Sequence, residues 1–348
     1  MDATGGKRQK KPRRVRLEDI ALKVGVSLST VSRALSGEKG VREDVRLRIL
    51  EAAKTANYAL PNPVPGTKVI LAASSAAMID YVRNQFTLYV LEGIRDRAQA
   101  LGMEMITRPI ANEAEERAVL DEAREDPAVA GLLFLTVDDE RMLAATRNVG
   151  KPVVLVNGDD PLMRLSSVTP CNRSAARVAT DYLLEKGHER ILFLMRPGRR
   201  TIVRRREGWQ DALAHRGLPP PGDLIVAVDD WLPELAEQAI AERIARHGLD
   251  FTAVLAAGES LAVGAMRALQ RAGYSVPGDV SVMGMDDLPQ AAFLNPPLTT
   301  VHIPAREIGT AGVDLLRDIC SGTPSLPRRI ELACHIVERQ SVGPRRSK

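Results

Sequence analysis

The sequence predicts a small all-α head followed by a larger α/β body. The body reads as two doubly wound parallel-sheet subdomains with a cleft between them. Three observations carry this. Residues 15–58 keep helical apolar spacing, whereas from Lys68 onward short apolar runs alternate with amphipathic helices. Between them ALPNPVPGT (59–67) sets Pro61, Pro63 and Pro65 at alternate positions, which no helix continues through. The charge is also divided: residues 1–58 hold 14 Lys and Arg against 7 Asp and Glu, while the whole chain of 348 residues carries only +4.

The elements follow in order. Residues 1–14 are basic and polar and read as a disordered tail. Leu17, Ile20, Ala21 and Val24 form the apolar face of a first helix, which Gly25 stops. VSLSTVSRALSG (26–37) is a second helix with Ser27 as its N-cap. The third, within VREDVRLRILEAAKTANY, repeats Val45, Ile49, Ala52, Ala53 and Ala56 at helical spacing, with Glu43 and Asp44 in its first turn. In the body, strands are expected at 69–74, 103–107, 129–135, 152–157, 190–195, 224–228, 253–257 and 280–285. Nearly continuous apolar strands joined by helices imply sheets covered on both faces. Eight such units exceed one ordinary sheet, and ligands bind such folds beyond the carboxyl ends of the strands. The body spans 68–340, and 341–348 reads as a basic tail.

Composition excludes several classes. No apolar run reaches the ~18 residues of a membrane span. The basic N-terminus lacks the apolar stretch of a secretory signal. Cys171, Cys320 and Cys334 lie far apart in sequence and show neither metal-ligand spacing nor a disulfide framework. A cytoplasmic, non-enzymatic protein without cofactor or metal is expected.

A basic three-helix head with a glycine turn is helix-turn-helix geometry, so double-stranded DNA is the expected partner. The hydroxyls of the second helix then make sense. Ser27, Ser29, Thr30 and Ser32 are short enough to let the backbone approach DNA, and they bond phosphates or base edges. Leu28 suits a thymine methyl. Arg33 is the long donor of this face, and Arg to guanine is the commonest specific contact. The alternative is a helical domain whose hydroxyl face is merely solvated.

LEDIALKVGVSLSTVSRALSG followed by VREDVRLRILEAAKTANY closely resembles the DNA-binding head of the LacI/GalR family. The resemblance extends along nearly the whole chain. It includes Gly187-His188, Arg205 with Gly208-Trp209, VPGDVSVMGMDDLP (276–289) and PPLTTVHIP (296–304). It implies a homodimeric transcription regulator, most simply a repressor, reading a palindromic operator. Its body would resemble periplasmic sugar-binding proteins and close on a small effector. The family's hinge helix would place Leu60 or Val64 in the minor groove, but the three prolines favour a plain spacer.

The same resemblance points to effector-binding residues. Phe86, in NQF, corresponds to one wall of the cleft. Cys171-Asn172 and Ala257-Gly258-Glu259 stand where the family carries Asp-Asn and Ala-Asn-Asp. Arg205 and Asp286 are retained, and Trp231 could stack on a ring. RPGRRTIVRRR (196–206) adds six arginines in eleven residues. Arg200 and Arg205 are its candidates for gripping carboxylate or phosphate, so a sugar acid or sugar phosphate stands beside a neutral sugar as the expected effector. Two other readings stay open. One is a solute-binding sensor with a non-specific DNA anchor. The other is a hydrolase using Ser260 in GESLA (258–262), although that motif lacks the elbow's second glycine. His188, Met283 and Met285 read as structural.

Overall fold

The two sheets take their strands in the same order, so the body is one plan used twice. A computed structural model describes residues 16–35, 41–56, 67–74, 85–137, 139–219, 222–321 and 326–345. Leu60 and Val64 lie outside them, as does most of the proline segment.

The head comprises α1 (Leu17–Val24), α2 (Leu28–Leu35) and α3 (Glu43–Thr55). Their apolar faces meet in one small core containing Ile20, Val24, Val31, Leu35, Ile49 and Ala53. Gly25 ends α1 at φ 72°, a left-handed conformation suited to glycine.

The first sheet contains β1 (Lys68–Ser74), β2 (Glu104–Ile110), β3 (Val129–Leu135), β4 (Val153–Val156) and β5 (Ser166–Pro170). Its helices are α4 (Gln85–Ala100), α5 (Glu113–Glu125) and α6 (Glu140–Ala145). The order is β2-β1-β3-β4-β5, completed by β11 (Arg329–Leu332), all parallel. The second sheet contains β6 (Ile191–Met195), β7 (Ile225–Ala227), β8 (Ala253–Ala256), β9 (Ser281–Asp286) and β10 (Thr299–His302). Its order is β7-β6-β8-β9-β10, completed by an antiparallel β12 (His335–Val337).

Three crossings join the subdomains. The first leads from β5 into α7 (Asn172–Glu185), which packs on the second sheet. The second leads from β10 into α11 (Ala305–Cys320), which returns to the first sheet. The third is the short link between β11 and β12. The remaining helices, α8 (Arg200–His215), α9 (Pro233–His247) and α10 (Glu259–Arg271), belong to the second subdomain.

Glycines let helices pair closely. A Cβ at Gly208 of α8 would strike the Arg173 carbonyl of α7, and one at Gly309 of α11 would strike the Val90 carbonyl of α4. Trp209 beside Gly208 is fully buried, stacks on Phe193 at 5.7 Å and donates Nε1–H to the Ile191 carbonyl. The motif around Arg205 is therefore largely a packing device. Met283 and Met285 are buried, and His188 is buried with Nε2 3.0 Å from the Gly343 carbonyl oxygen.

The structure corrects the sequence reading in two places. β5, β10, β11 and β12 are absent from the eight expected strands. They are only three to five residues long and mix hydroxyls and charges into the apolar pattern. The basic tail also begins too early in that reading. Ser341 Oγ donates to the Val282 carbonyl and accepts Thr299 N–H, and Val342 is buried, so this segment is part of the body. Ending the chain at Gln340 is expected to cost on the order of 5 kcal/mol or more, from one buried valine and the hydrogen bonds of Ser341, Gly343 and Arg345, including the one to buried His188. Calorimetry on the truncated protein checks this; an unchanged unfolding curve would refute it.

Candidate functional site

In the head, Ser27 is the N-cap of α2. Its Oγ accepts Thr30 N–H at 3.1 Å and lies 2.9 Å from Ser29 Oγ and 2.7 Å from Thr30 Oγ1. Val31, Ala34 and Leu35 are buried, leaving Leu28, Ser29, Ser32 and Arg33 exposed and Thr30 half-buried. Arg33 Nε reaches back to the Ser29 carbonyl at 3.4 Å, lying along the exposed face. The hydroxyls thus divide their work: Ser27 and Thr30 fix the start of the helix, and Ser29, Ser32 and Arg33 present its outer face.

In the body, a cavity of about 170 Å³ opens between the subdomains. Trp231, Pro233, Glu259, Ser260, Val263, Gln290 and Leu294 line it from the second subdomain, and Gln85 from the first. Of the residues expected to bind effector, only Trp231 and Glu259 are in this wall. Phe86 turns into the core beside Gln85, which takes the wall position instead. Gln85 escaped the sequence reading because a glutamine opening a helix carries no chemical signature of its own.

The other expected residues support the wall. Asn172 is buried; its Nδ2 donates to Thr169 Oγ1 and the Pro170 carbonyl, and its Oδ1 accepts Arg205 Nε–H at 2.9 Å. Arg205, also buried, donates to the Ala257 carbonyl and lies 3.7 Å from Asp286. Desolvation lowers the Arg205 pKa, which Asp286 counters. Burial pushes Asp286 up to about 6 despite Arg205.

Gly258 explains the cavity's aromatic wall. A Cβ there would come 2.9 Å from Trp231 Cζ3, so the absence of a side chain at this position leaves room for the indole. Glu259 holds the turn after β9: its two carboxylate oxygens accept Asp287 N–H at 2.8 Å and Leu288 N–H at 3.1 Å. Burial, with Asp286 nearby, pushes Glu259 up to about 8.

The arginine run does not reach the cavity wall. Arg200 pairs with Asp159 at 3.5 Å and Glu207 at 3.8 Å, and Arg204 pairs with Glu207 at 2.8 Å. Arg199 donates to the Asn157 carbonyl, and Arg196 to that of Asp229. The expectation that Arg200 lies in the ligand wall is therefore corrected: it is outside the cavity lining and pairs with first-subdomain Asp159, which it shares with Arg329. The cleft side of this run is a clasp between subdomains.

Two further expectations change. Cys171 is not in the cavity wall but caps α7 at the first crossing, next to Cys334 at the third. The cysteines that seemed unrelated in sequence are neighbours in space. Ser260 lines the cavity, but no hydrogen bond joins it to His302, which pairs with Asp287 at 3.0 Å and packs on His335. Among the described residues no helix is long and apolar enough to cross a membrane. None of them forms a metal-binding group of His, Cys, Asp or Glu.

Residues 16–62 match the family described as bacterial regulatory proteins, lacI family, and residues 180–342 match the periplasmic binding protein-like domain. The chain is 31% identical to the HTH-type transcriptional regulator MalR of Streptomyces coelicolor, over 94% of this chain and 96% of MalR. Among solved structures it is similar to a complex of the transcriptional regulator CelR with cellobiose. There the TM-score is 0.72 at 28% identity, over 94% of this chain and 100% of that one. It is also similar to the lac repressor dimer bound to operator and the anti-inducer ONPF, with a TM-score of 0.70 at 26% identity. That match covers 95% of this chain and 100% of the other.

The Glu259 pKa is raised in the folded state, so the folded protein holds a proton that the unfolded chain releases near 4.5. This stabilisation is full below that value and disappears as pH rises through about 8. Melting of the wild type relative to Glu259→Gln is expected to fall across that window. Parallel melting curves would contradict it.

Proposed function

The chain belongs to the LacI family of bacterial regulatory proteins, a transcriptional regulator with a DNA-binding head and an effector-binding body, and from that premise we propose how each part works. It is a repressor acting as a homodimer on a palindromic operator. Ser29, Ser32 and Arg33 face the major groove, with Leu28 at the leading edge and Ser27 setting the helix in register. The two-fold axis of the dimer sets the palindrome.

The effector is a neutral sugar rather than a sugar acid or phosphate. The observation that carries this is the composition of the cavity wall among the described residues: one indole, two amides, one hydroxyl, apolar groups and a single carboxyl, with no cationic side chain. An anion there would find no cation free to meet it among the described wall residues, since Arg205 behind the wall is committed to Asn172, Ala257 and Asp286. A sugar offers hydroxyls for Gln85, Ser260 and Gln290 and a C–H face for Trp231. The similar CelR holds cellobiose, which agrees in class. Binding closes the subdomains, and linkage makes ligand and operator affect each other equally.

Two experiments test this. Selection of bound fragments from genomic DNA by the purified protein is expected to yield a palindrome, and Arg33→Ala to weaken its binding about tenfold or more. Salt-sensitive binding without sequence preference, unchanged by Arg33→Ala, would overturn the operator reading. Calorimetry against neutral sugars, sugar acids and sugar phosphates is expected to give heat only with a neutral sugar. Trp231→Ala should then weaken that sugar about tenfold or more, consistent with the loss of a buried aromatic face. Binding of an acid or phosphate, with neutral sugars silent, would overturn the ligand class.

A further inference from the structure

Two of the three crossings between the subdomains carry a cysteine. Cys171 follows β5 and caps α7; Cys334 follows β11 and precedes β12. β5 and β11 are parallel neighbours with Pro170 opposite Leu332, so the two cysteines leave adjacent strands side by side. The Leu332 carbonyl accepts Cys171 N–H at 3.0 Å and lies 3.7 Å from Cys334 Sγ. The two side chains are near enough to shift each other's ionisation in opposite directions, and both are partly accessible.

We propose that Cys171 and Cys334 form a reversible oxidation site, in which a hydroperoxide converts the pair into a disulfide that ties the first crossing to the third. The Cys171 thiolate attacks one peroxide oxygen; the O–O bond breaks, and the departing oxygen leaves as water after taking a proton. Cys171 is then a sulfenic acid. Cys334 sulfur attacks the Cys171 sulfur, forming S–S and expelling hydroxide, which leaves as water with the Cys334 proton. Two thiols give up two electrons, hydrogen peroxide accepts them, and two waters result.

The division of roles follows the surroundings. The neighbouring Cys334 lowers the Cys171 thiol to about 6, so it is mostly thiolate at neutral pH. Cys334 is shifted upward by the neighbouring Cys171 and by burial, so it resolves rather than attacks. Cys320 is different: burial raises it to about 11, and its Sγ points at the Ala130 carbonyl, away from this pair. A bond between two crossings restrains the rotation that opens and closes the cleft.

The test uses the purified full-length chain treated with hydrogen peroxide, blocked, digested without reductant and read by mass spectrometry. Titratable thiols are expected to fall from three to one per chain, with a linked Cys171–Cys334 peptide that a dithiol reductant restores. In Cys334→Ser the link is lost and Cys171 accumulates as a dimedone-trapped sulfenic acid; in Cys171→Ser, Cys334 stays reduced. Iodoacetamide labelling of Cys171 is expected to show a midpoint near 6 rather than the ordinary 9. Disulfides only between chains, or Cys171 driven to sulfinic acid while Cys334 stays free in the wild type, would overturn the proposal. Both readouts are independent of DNA and sugar, so they stand apart from the repressor reading.

Discussion

A guanidinium buried at the carboxyl ends of the second sheet's central strands holds the arrangement together. Desolvating a cation costs several kcal/mol, so Arg205 is tolerated only with its acceptors in place. Those acceptors come from three elements: Asn172 at the start of α7, the Ala257 carbonyl after β8 and Asp286 at the end of β9. The cavity grows from the same points. Gly258 and Glu259 follow Ala257 directly, and Cys171 of the first crossing directly precedes Asn172. One buried charge therefore fixes both the aromatic wall and the first hinge strand.

The turn after β9 carries the strain this arrangement requires. Asp286 and Asp287 take φ values of 127° and 59°, unfavourable for residues with a Cβ. The surroundings hold both. Asp286 faces Arg205, while Asp287 is held by Arg339 at 2.7 Å and His302 at 3.0 Å, which keep its carboxyl below the usual range. Glu259 clamps the following backbone N–H groups. Glu259 is thus a positioning residue as much as a wall residue, which is why removing its carboxyl should change stability as well as binding.

Most of the fold was legible because long apolar runs and helical periodicity report burial directly. The strands at 129–135 and 190–195 needed nothing else. SSVTP and RIEL were not legible: they become strands only because a neighbour already present, β4 or β5, offers its edge. The cavity wall was legible at Trp231, an aromatic kept at a family position, and at Glu259, a changed residue at another. It was misleading at Arg200, since a sequence displays a cation but not the Asp159 that draws it away from the cavity wall. The same limit hid the Cys171–Cys334 pair, separated along the chain and brought together by parallel pairing. Periodicity gives the faces of elements; it does not give the partners that tertiary packing supplies.

Those partners divide the labour of closure. A ligand shifts a two-state equilibrium only through contacts that differ between the states. Trp231, Glu259, Ser260 and Gln290 all belong to the second subdomain, so they bear on how tightly a ligand is held without by themselves choosing an arrangement. The choice rests with what spans the cleft among the described residues. Gln85 reaches the cavity from the first subdomain, and Arg199 and Arg200 of α8 reach across to Asn157 and Asp159. Arg329, from β11 near the third crossing, also pairs with Asp159, so the clasp is continuous with the hinge. Affinity and coupling thus reside in different residues. A change at Trp231 acts on affinity, whereas a change at Gln85 or Arg200 alters how strongly an occupied cavity is felt by the rest of the chain.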